Sequence, residues 1–275
     1  MELPELTILG RQMNEEISGK KVSSVEVSNP KCLNVSLESF RQNIIGKAVT
    51  SIESLGKWLF FKLDSGGTVL FNPGMGADVI HFKESSKLPA KYQVKFSFDD
   101  GTGFTIRVWW FCYLHFVPRN KLGEHKRVGK LGISPLEKSF TLDYFKRLLG
   151  KKKGNIKSFM LDQKNIAGIG NVYIQDMLFN AKVHPKRKIP TLTEEEVCTL
   201  HQSMKSVLTK SVELGGLEYE KDFYGHKGGY GAAHFKIGYK PGKPCPRCNT
   251  LIEKIKTGST SSFICPKCQT LKTLQ

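Results

Sequence analysis

The sequence predicts an α+β protein built from several domains. An apolar helical pattern opens the chain, and a region with the two-residue period of strands follows it. Helical patterns take over after about residue 140, and two pairs of cysteines close the chain. The 275 residues suit two modest domains better than one.

The first element is a helix over residues 3–18. Its apolar residues recur every three or four positions, at Leu3, Leu6, Leu9, Met13 and Ile17. Pro4 falls in the first turn, where a helix tolerates proline because no intrahelical bond to its nitrogen is lost.

Two hairpins are predicted between about residues 20 and 115. Apolar runs at 58–61 and 69–71 flank the turn sequence Asp-Ser-Gly-Gly at 64–67. A second alternating pattern surrounds Asp-Asp-Gly at 99–101, with Val94, Phe96 and Phe98 before it and Phe104, Ile106 and Val108 after it. This part of the chain is therefore expected to be antiparallel β structure.

Residues 116–140 are polar and basic, as in a linker, and helices are predicted after them. One apolar face contains Leu142, Phe145, Leu148 and Leu149. Thr193 and Glu196 have the spacing of a capping box, and the apolar stripe that follows stops at Gly215-Gly216. Residues 217–240 are rich in Gly, Tyr and His without a clear period, which indicates a loop.

Four of the seven cysteines form two Cys-x-x-Cys pairs separated by sixteen residues, namely Cys245, Cys248, Cys265 and Cys268. This spacing is typical of one structural Zn²⁺ on four thiolates, a closed site with no position for a substrate. Two disulfides are the alternative, which the absence of a secretion signal disfavours. Cys32, Cys112 and Cys198 are expected to be ordinary thiols.

The chain carries 42 Lys and Arg against 25 Asp and Glu, a net charge of +17. Such a charge on a folded protein favours a polyanionic partner, most often nucleic acid, although a solvated basic surface is the alternative. No apolar run approaches the length of a membrane span, and no secretory signal opens the chain. We therefore expect no membrane association, and a cytoplasmic protein in a bacterium or a nuclear one in a eukaryote.

Residues 166–173 resemble a phosphate-binding turn between a helix near 155–163 and another near 171–181. Gly168 and Gly170 allow a tight turn and a close backbone approach, and Asn171 can cap the next helix or donate to a phosphate. Lys157 and the run Lys151-Lys152-Lys153 add positive charge. A plain corner between two helices is the alternative.

Four motifs together resemble the formamidopyrimidine-DNA glycosylase and endonuclease VIII family. They are Glu2-Leu3-Pro4-Glu5, then Gly56-Lys57-Trp58-Leu59 with Gly74-Met75, then the segment from Leu161 to Pro185 that includes Ile166 to Asn171, and finally Gly242 to Gln269. They agree in order and spacing over nearly the whole chain.

The resemblance implies an N-terminal β-sandwich with a flanking helix over residues 1–118 and a linker over 119–138. It further implies a helix–two-turns–helix DNA-binding domain with a lesion loop over 139–240, and a zinc finger over 241–275. DNA would lie in the cleft between these domains. A monomer acting on damaged double-stranded DNA is expected, with base flipping, base removal and strand cleavage at the abasic site.

The family's nucleophile is the amine of an N-terminal proline, which this sequence lacks because Met1 stands directly before Glu2. A large residue after the initiator methionine usually prevents its removal, so the primary amine of Met1 would form the Schiff base. Glu2 matches the family's catalytic glutamate, and an acidic helix start is its structural alternative. Lys57 matches the lysine beside the lesion phosphate, and a surface lysine is its alternative. We expect altered activity, with the lyase step stronger than base removal.

The remaining site residues follow the same resemblance. Lys157, Gly170 and Asn171 would contact phosphate, and Met75 would fill the space of the flipped base unless it is a core residue. Phe111 would act as a wedge, while Trp110 replaces an arginine that reads the opposite base. Thr260 replaces the arginine of the zinc finger, a loss for which Lys254 or Lys256 could compensate. These departures leave open a degenerate paralogue that binds damaged or abasic DNA without cutting it; a zinc-ribbon RNA-binding protein explains only one of the four motifs.

Overall fold

The computed structural model describes residues 1–84, 88–150 and 152–271, and its chain divides into two compact units. The first unit combines Met1–Lys130 with Leu214–Gly229, and the second combines Leu131–Glu213 with Tyr230–Gln275. The predicted α+β, multidomain class is confirmed. Among the described residues, no helix has the length and apolar character needed to cross a membrane.

The first unit begins with helix α1, Leu3–Ile17, close to the predicted span. Glu2 precedes it as the N-cap residue, and the backbone N–H of Glu2 donates to Glu5 Oε2 at 2.8 Å. This capping box satisfies backbone donors that a helix start otherwise leaves unpaired. The amino terminus of the chain is thereby fixed against the first turn of α1.

Two four-stranded antiparallel sheets follow, with strand orders β1-β6-β7-β5 and β2-β3-β4-β8. The strands are β1 Val22–Val27, β2 Val49–Leu55, β3 Trp58–Leu63, β4 Thr68–Asn72, β5 Ala77–Phe82, β6 Val94–Phe98, β7 Gly103–Val108 and β8 Tyr113–Val117. Both predicted hairpins are present as β3–β4 and β6–β7, while helix α2, Leu37–Ile44, was not foreseen.

The two sheets share one apolar core, so the expected β-sandwich is confirmed. Phe61 of β3 stacks on Phe104 of β7 with ring centroids 6.0 Å apart, which joins one sheet to the other. Phe104 also stacks on Phe96 at 4.8 Å within its own sheet. The alternating apolar residues of the sequence are the residues that face this core.

Residues 214–229 belong to the first unit, although the sequence boundaries placed them in the 139–240 domain. Glu5 Oε1 of α1 accepts from the Leu217 N–H at 3.2 Å, and Gln12 Oε1 accepts from the Phe223 N–H at 2.9 Å. Phe223 is fully buried in the core of the sandwich. These long-range bonds, which no local pattern encodes, hold the segment against α1.

The second unit contains helices α3 Leu142–Leu149, α4 Ile156–Leu161, α5 Ile174–Asn180 and α6 Glu194–Glu213. The predicted capping box is present, since Glu196 N–H donates to Thr193 Oγ1 at 3.1 Å and Thr193 N–H donates to Glu196 Oε2 at 2.8 Å. Helix α6 ends just before Gly215 and Gly216, whose φ angles of 78° and 84° are incompatible with continuing a right-handed helix.

The cysteine ribbon, with strands β9 Glu253–Thr257 and β10 Thr260–Ile264, lies in the same unit as the helices. Its Phe263 N–H donates to Gln175 Oε1 of α5 at 3.1 Å, and Gln269 Nε2 donates to Val183 O at 3.0 Å. Arg247 stacks over Phe179, 4.5 Å from the ring centroid. The finger is therefore packed on α5.

The boundary between the two units falls between residues 130 and 131, inside the segment 119–138 that was predicted to be a linker.

Candidate active site and nucleic-acid interface

The amino-terminal amine lies in a buried polar site of the first unit. The Met1 nitrogen donates to Glu220 Oε1 at 3.1 Å and to the backbone oxygen of Met75 at 3.5 Å. Met1 is 6% exposed as a whole residue, and the Glu220 side chain is 9% exposed. Such a site gives the amine a buried carboxyl group as a charge partner.

Glu220 is a site residue that the sequence did not reveal. Burial raises the pKa of its carboxyl group, and the opposing amine acts in the other direction. The residue lies in a stretch without periodicity or a recognised motif, and it reaches Met1 from 219 positions away in the chain. Only a signal of long-range contact could have found it.

Glu2, the expected proton-transfer residue, is buried beside Met1 at the start of α1. Its backbone bond to Glu5 fixes the direction in which the chain enters the helix. The helix-start alternative describes what Glu2 does in this structure, where it is the N-cap residue of α1 and its side chain takes part in the capping box.

Met75 is at the tip of the turn between β4 and β5, and its side chain is 81% exposed. This exposure excludes the alternative in which Met75 is a core residue. Gly74 precedes it with a φ of 61°, and a Cβ atom there would lie 1.9 Å from the backbone oxygen of Phe111. The turn that presents Met75 is thus packed directly against the β7–β8 connection.

That connection exposes aromatic side chains, with Trp110 84% and Phe111 39% exposed. Phe111 meets Tyr113 edge to face at a centroid distance of 4.6 Å, which restricts its position. Lys57 is half-buried at the turn between β2 and β3, and its backbone oxygen accepts from Asn72 Nδ2 at 2.8 Å. The first unit therefore presents both a cation and stacking surfaces on its strand connections.

In the second unit the predicted phosphate turn is organised by Gln163. Its Oε1 accepts from the Gly168 N–H at 2.8 Å, and its Nε2 donates to the backbone oxygen of Ile169 at 2.9 Å. Gly168 has a φ of 101°, a conformation that favours glycine. The amide group of Gln163 thus supplies hydrogen bonds to backbone groups of the turn, which lie outside the helices and have no helical partner.

The helices that flank this turn are shorter than predicted. Helix α4 ends at Leu161 and α5 begins at Ile174, so Asn171 lies before α5 and does not cap it; Tyr173 occupies the N-cap position. The Oδ1 and backbone oxygen of Asn171 accept from Gln175 Nε2 at 3.2 and 2.8 Å. Gly170 is buried beside it in the same turn.

Lys157 differs most from its predicted role as a phosphate contact. The side chain is 1% exposed, and its Nζ donates to Thr260 Oγ1 at 2.9 Å, Ser261 O at 2.7 Å and Ser262 Oγ at 2.8 Å. An ammonium group has three donors, so these bonds use all of them. Burial lowers the pKa of Lys157 to about 8. Lys157 therefore supports the finger hairpin in this structure. Lys151, which belongs to the basic run predicted beside it, lies outside the described residues.

Thr260 is at the first position of β10 and bonds within its own unit. Its hydroxyl donates to the Thr257 backbone oxygen at 3.2 Å while accepting from Lys157. The positive charge next to Thr260 thus comes from Lys157, a residue of another element. Lys254 and Lys256, considered as replacements for the absent arginine, lie on β9 with exposed side chains.

Cys245, Cys248, Cys265 and Cys268 converge, with their sulfur atoms within 4.8 Å of one another. Three of the Sγ–Sγ distances are 3.9, 3.4 and 3.4 Å. A tetrahedral Zn²⁺ with bonds of about 2.3 Å separates its sulfur ligands by about 3.8 Å, so the four thiols fit that ion. These separations are longer than a disulfide bond of about 2.05 Å, so the arrangement is that of four separate thiols and differs from the two-disulfide alternative. The structural zinc site is confirmed.

Three family models match successive parts of this chain. Residues 1–107 match the formamidopyrimidine-DNA glycosylase N-terminal domain, residues 131–221 its H2TH domain, and residues 242–271 the zinc finger found in FPG and IleRS. The formamidopyrimidine-DNA glycosylase of Streptococcus pneumoniae is 33% identical over 271 residues, 98% of each chain. That of Bacillus subtilis is 33% identical over 277 residues, 98% of this chain and 99% of the other.

Solved structures agree with these matches. A MutM protein in complex with DNA containing carbocyclic 8-oxo-G superposes with a TM-score of 0.89 at 26% identity, covering 98% of this chain and all of the other. The Lactococcus lactis Fpg in complex with DNA containing an abasic site gives a TM-score of 0.88 at 26% identity and the same coverage. The fold and the finger thus define a multidomain protein of the base-excision DNA repair class. The chain belongs to the formamidopyrimidine-DNA glycosylase family.

Proposed function

We propose that this protein is a DNA glycosylase and abasic-site lyase that removes oxidised bases from duplex DNA and then cuts the strand. It acts as a monomer, and the amine of Met1 forms the Schiff base with the sugar. The relatives named above are bacterial formamidopyrimidine-DNA glycosylases, and the similar structures hold DNA with a damaged or abasic site. A cytoplasmic location follows from that assignment.

The observation that carries the proposal is the placement of the Met1 amine. A neutral α-amine is a nucleophile that can form a Schiff base with an aldehyde sugar. Here the amine contacts the buried carboxyl group of Glu220 at 3.1 Å, and Glu2 is the next residue of the chain. The loss of the family proline therefore leaves an amine at the start of α1, with acids available for proton transfer.

Glu2 would move a proton to and from the sugar ring oxygen, the step that base removal needs and that general acid–base catalysis accelerates. Lys57 would contact the phosphate beside the lesion. Met75, with its exposed and flexible thioether, would enter the space left by the flipped base, and Phe111 would wedge beside it. Trp110 offers a face for stacking and no donors matched to one partner base, so we expect weak selectivity for the opposite base.

The turn of Gly170 and Asn171 would contact the DNA backbone from the second unit. Lys157 would act indirectly, by holding the hairpin that begins at Thr260, because its own donors are engaged there. The bound Zn²⁺ would fix the finger and take no part in the chemistry, since a four-thiolate site has no open position.

The experiment is reduction with borohydride in the presence of duplex DNA that contains an abasic site. A covalent adduct is expected, with the sugar on the amino-terminal peptide at Met1. The control is protein whose α-amine is blocked by acetylation, which should give no adduct. Tight binding of the unmodified protein without adduct or strand cleavage would instead support the degenerate DNA-binding paralogue and overturn the enzyme assignment.

A further inference from the structure

We propose that Glu220 is a second catalytic acid of this site: it accepts the proton that the Met1 nitrogen must lose and then serves as counter-ion of the iminium. The inference rests on the proposed function, since it takes the Met1 nitrogen as the nucleophile. The geometry that points to it is the direct contact of Glu220 Oε1 with that nitrogen at 3.1 Å, a buried contact between two residues distant in the sequence.

The backbone of the segment around Glu220 is anchored by hydrogen bonds on both sides of that residue. Glu5 Oε1 accepts from the Leu217 N–H, and the Glu220 N–H donates to the Leu217 backbone oxygen at 3.0 Å. The Glu220 backbone oxygen accepts from the Gly228 N–H at 3.3 Å, which closes the loop from its other side. Glu5 thus fixes both the backbone N–H of Glu2 and the loop that contains Glu220.

Gly76 gives the carboxyl group room beside the amine. Its φ is 156°, and a Cβ atom there would lie 2.8 Å from Trp109 Cδ1 and 3.4 Å from Glu220 Oε1. Met75, the residue before Gly76, also contacts the amine, because its backbone oxygen accepts a hydrogen bond from the Met1 nitrogen. The nitrogen is therefore held between the β4–β5 turn and Glu220.

The charged groups around Glu220 favour a carboxyl group that can take a proton. Burial raises its pKa, the negative charges of Glu5 on α1 and Asp78 on β5 raise it further, and the Met1 amine lowers it. Asp78 is itself paired with Lys221 Nζ at 3.3 Å. A carboxyl group with a raised pKa is a stronger base and accepts a proton more readily.

The proposed step conserves atoms and charge. Glu220 takes one proton from the Met1 ammonium group, and the nitrogen lone pair then forms a bond to C1′ of the abasic aldehyde while the C=O electron pair moves to oxygen. Two of the three ammonium hydrogens pass through Glu220 to that oxygen, which leaves as water. One hydrogen stays on the iminium nitrogen, and Glu220 ends as a carboxylate beside this cation.

Borohydride trapping rates on abasic duplex, measured from pH 5 to pH 9.5, test this role with the Glu220→Gln variant. The rate on the high-pH plateau should fall at least about tenfold, because proton acceptance and charge compensation are both lost. The midpoint of the pH profile should change, since the carboxyl group that accepts the proton is gone. Affinity for duplex with an uncleavable tetrahydrofuran site should stay within about twofold of the wild type.

Two further variants complete the experiment. Glu218→Gln, at an exposed position two residues away, should match the wild type at every pH. Glu220→Asp keeps the carboxyl group on a side chain shorter by one methylene. The midpoint of its pH profile should therefore stay near that of the wild type, and its plateau rate should lie between those of the wild type and Glu220→Gln. If Glu220→Gln fails to fold, Glu220→Asp decides the matter, and a wild-type plateau there would overturn the role.

The remaining outcomes are distinct. A wild-type trapping rate in Glu220→Gln overturns the role of Glu220 while leaving Met1 as nucleophile. An equal loss at every pH with an unchanged midpoint and a lower Tm also overturns it, because this pattern indicates a structural effect. Absence of an adduct in the wild-type protein overturns the proposed function, and the role of Glu220 fails with it.

Discussion

The amino-terminal site and the tip of the zinc finger each depart from the family motif, and the structure answers the two departures in opposite ways. At the amino terminus, where proline is absent, Glu220 contacts the Met1 amine and can exchange a proton with it. At the finger, where arginine is absent, the Lys157 ammonium group donates one hydrogen bond to Thr260 and uses its other two donors on Ser261 and Ser262. The first arrangement prepares a group for chemistry, whereas the second stabilises a hairpin.

This difference shows that the net charge of +17 overstates what DNA would meet. A buried lysine counts fully in the sequence but offers little charge to a phosphate when its donors bind the protein. The Met1 amine differs in the opposite way. A count of charged side chains does not include it, yet it pairs with Glu220 at the centre of its site. The predictions below separate chemistry at the first site from support at the second.

The largest effect is expected from Glu2→Gln. Base removal should fall by about 10²–10⁴-fold, the range for loss of general acid–base catalysis, while affinity for damaged duplex is kept. Single-turnover excision of an oxidised base measures it. The control is Glu15→Gln, an exposed position on the same helix. Wild-type turnover in Glu2→Gln would refute the catalytic assignment.

Loss of the finger metal should come next. Cys265→Ser leaves three thiolates, so zinc content should fall well below one ion per chain and duplex affinity at least about tenfold, because the folding of such a ribbon depends on its metal. Elemental analysis and binding to tetrahydrofuran duplex measure both. Cys198→Ser on α6 should retain metal and affinity. Full zinc binding by Cys265→Ser would contradict the four-thiolate site.

Lys157→Met removes the support of the finger hairpin. Three acceptors lose their donor, and that of Ser262 is buried, so the free energy of unfolding should fall by about 1–3 kcal/mol. The slope of log affinity against log salt should be unchanged, whereas loss of a phosphate contact reduces that slope by about one. Lys153→Met, at an exposed position, should leave stability nearly unchanged. A reduced slope in Lys157→Met would restore its role as a direct phosphate contact.

The pH dependence of stability tests the same residue. The pKa of Lys157 is lowered from 10.5 to about 8, so between these values the unfolded chain binds more protons at this position than the folded one. Stability from this group therefore rises as the pH increases from 8 towards 10.5. The difference in stability between wild type and Lys157→Met, followed by chemical denaturation, should show this slope. A flat difference would indicate that burial does not shift the pKa of Lys157.

Trp110→Ala should have the most selective effect. Loss of one stacking surface should weaken binding to abasic duplex by about 1–3 kcal/mol without changing the salt slope. Trp110→Phe should recover most of this affinity because a ring remains. Equal binding of the Ala variant and the wild type would show that the exposed indole does not contact DNA.

Local patterns predicted α1, the hairpins β3–β4 and β6–β7, the α6 capping box and the four cysteines. In each case the information lies within a few residues, in apolar period, turn residues or ligand spacing. The bounds of α4 and α5 were less accurate because Gln163 and Gln175 organise the turn between them through side-chain bonds. Such bonds have no period that a sequence displays.

The sequence alone determined the fold class, the zinc ligands and the resemblance to the family, because each is encoded in residue type and spacing. Tertiary structure decided which groups share a site. Glu220 meets Met1 because Glu5 and Gln12 draw residues 214–229 onto the first unit, and Lys157 meets Thr260 because the finger packs on α5. Whether a charged residue faces solvent or its own protein depends on contacts across more than a hundred positions, which is why composition could not assign it.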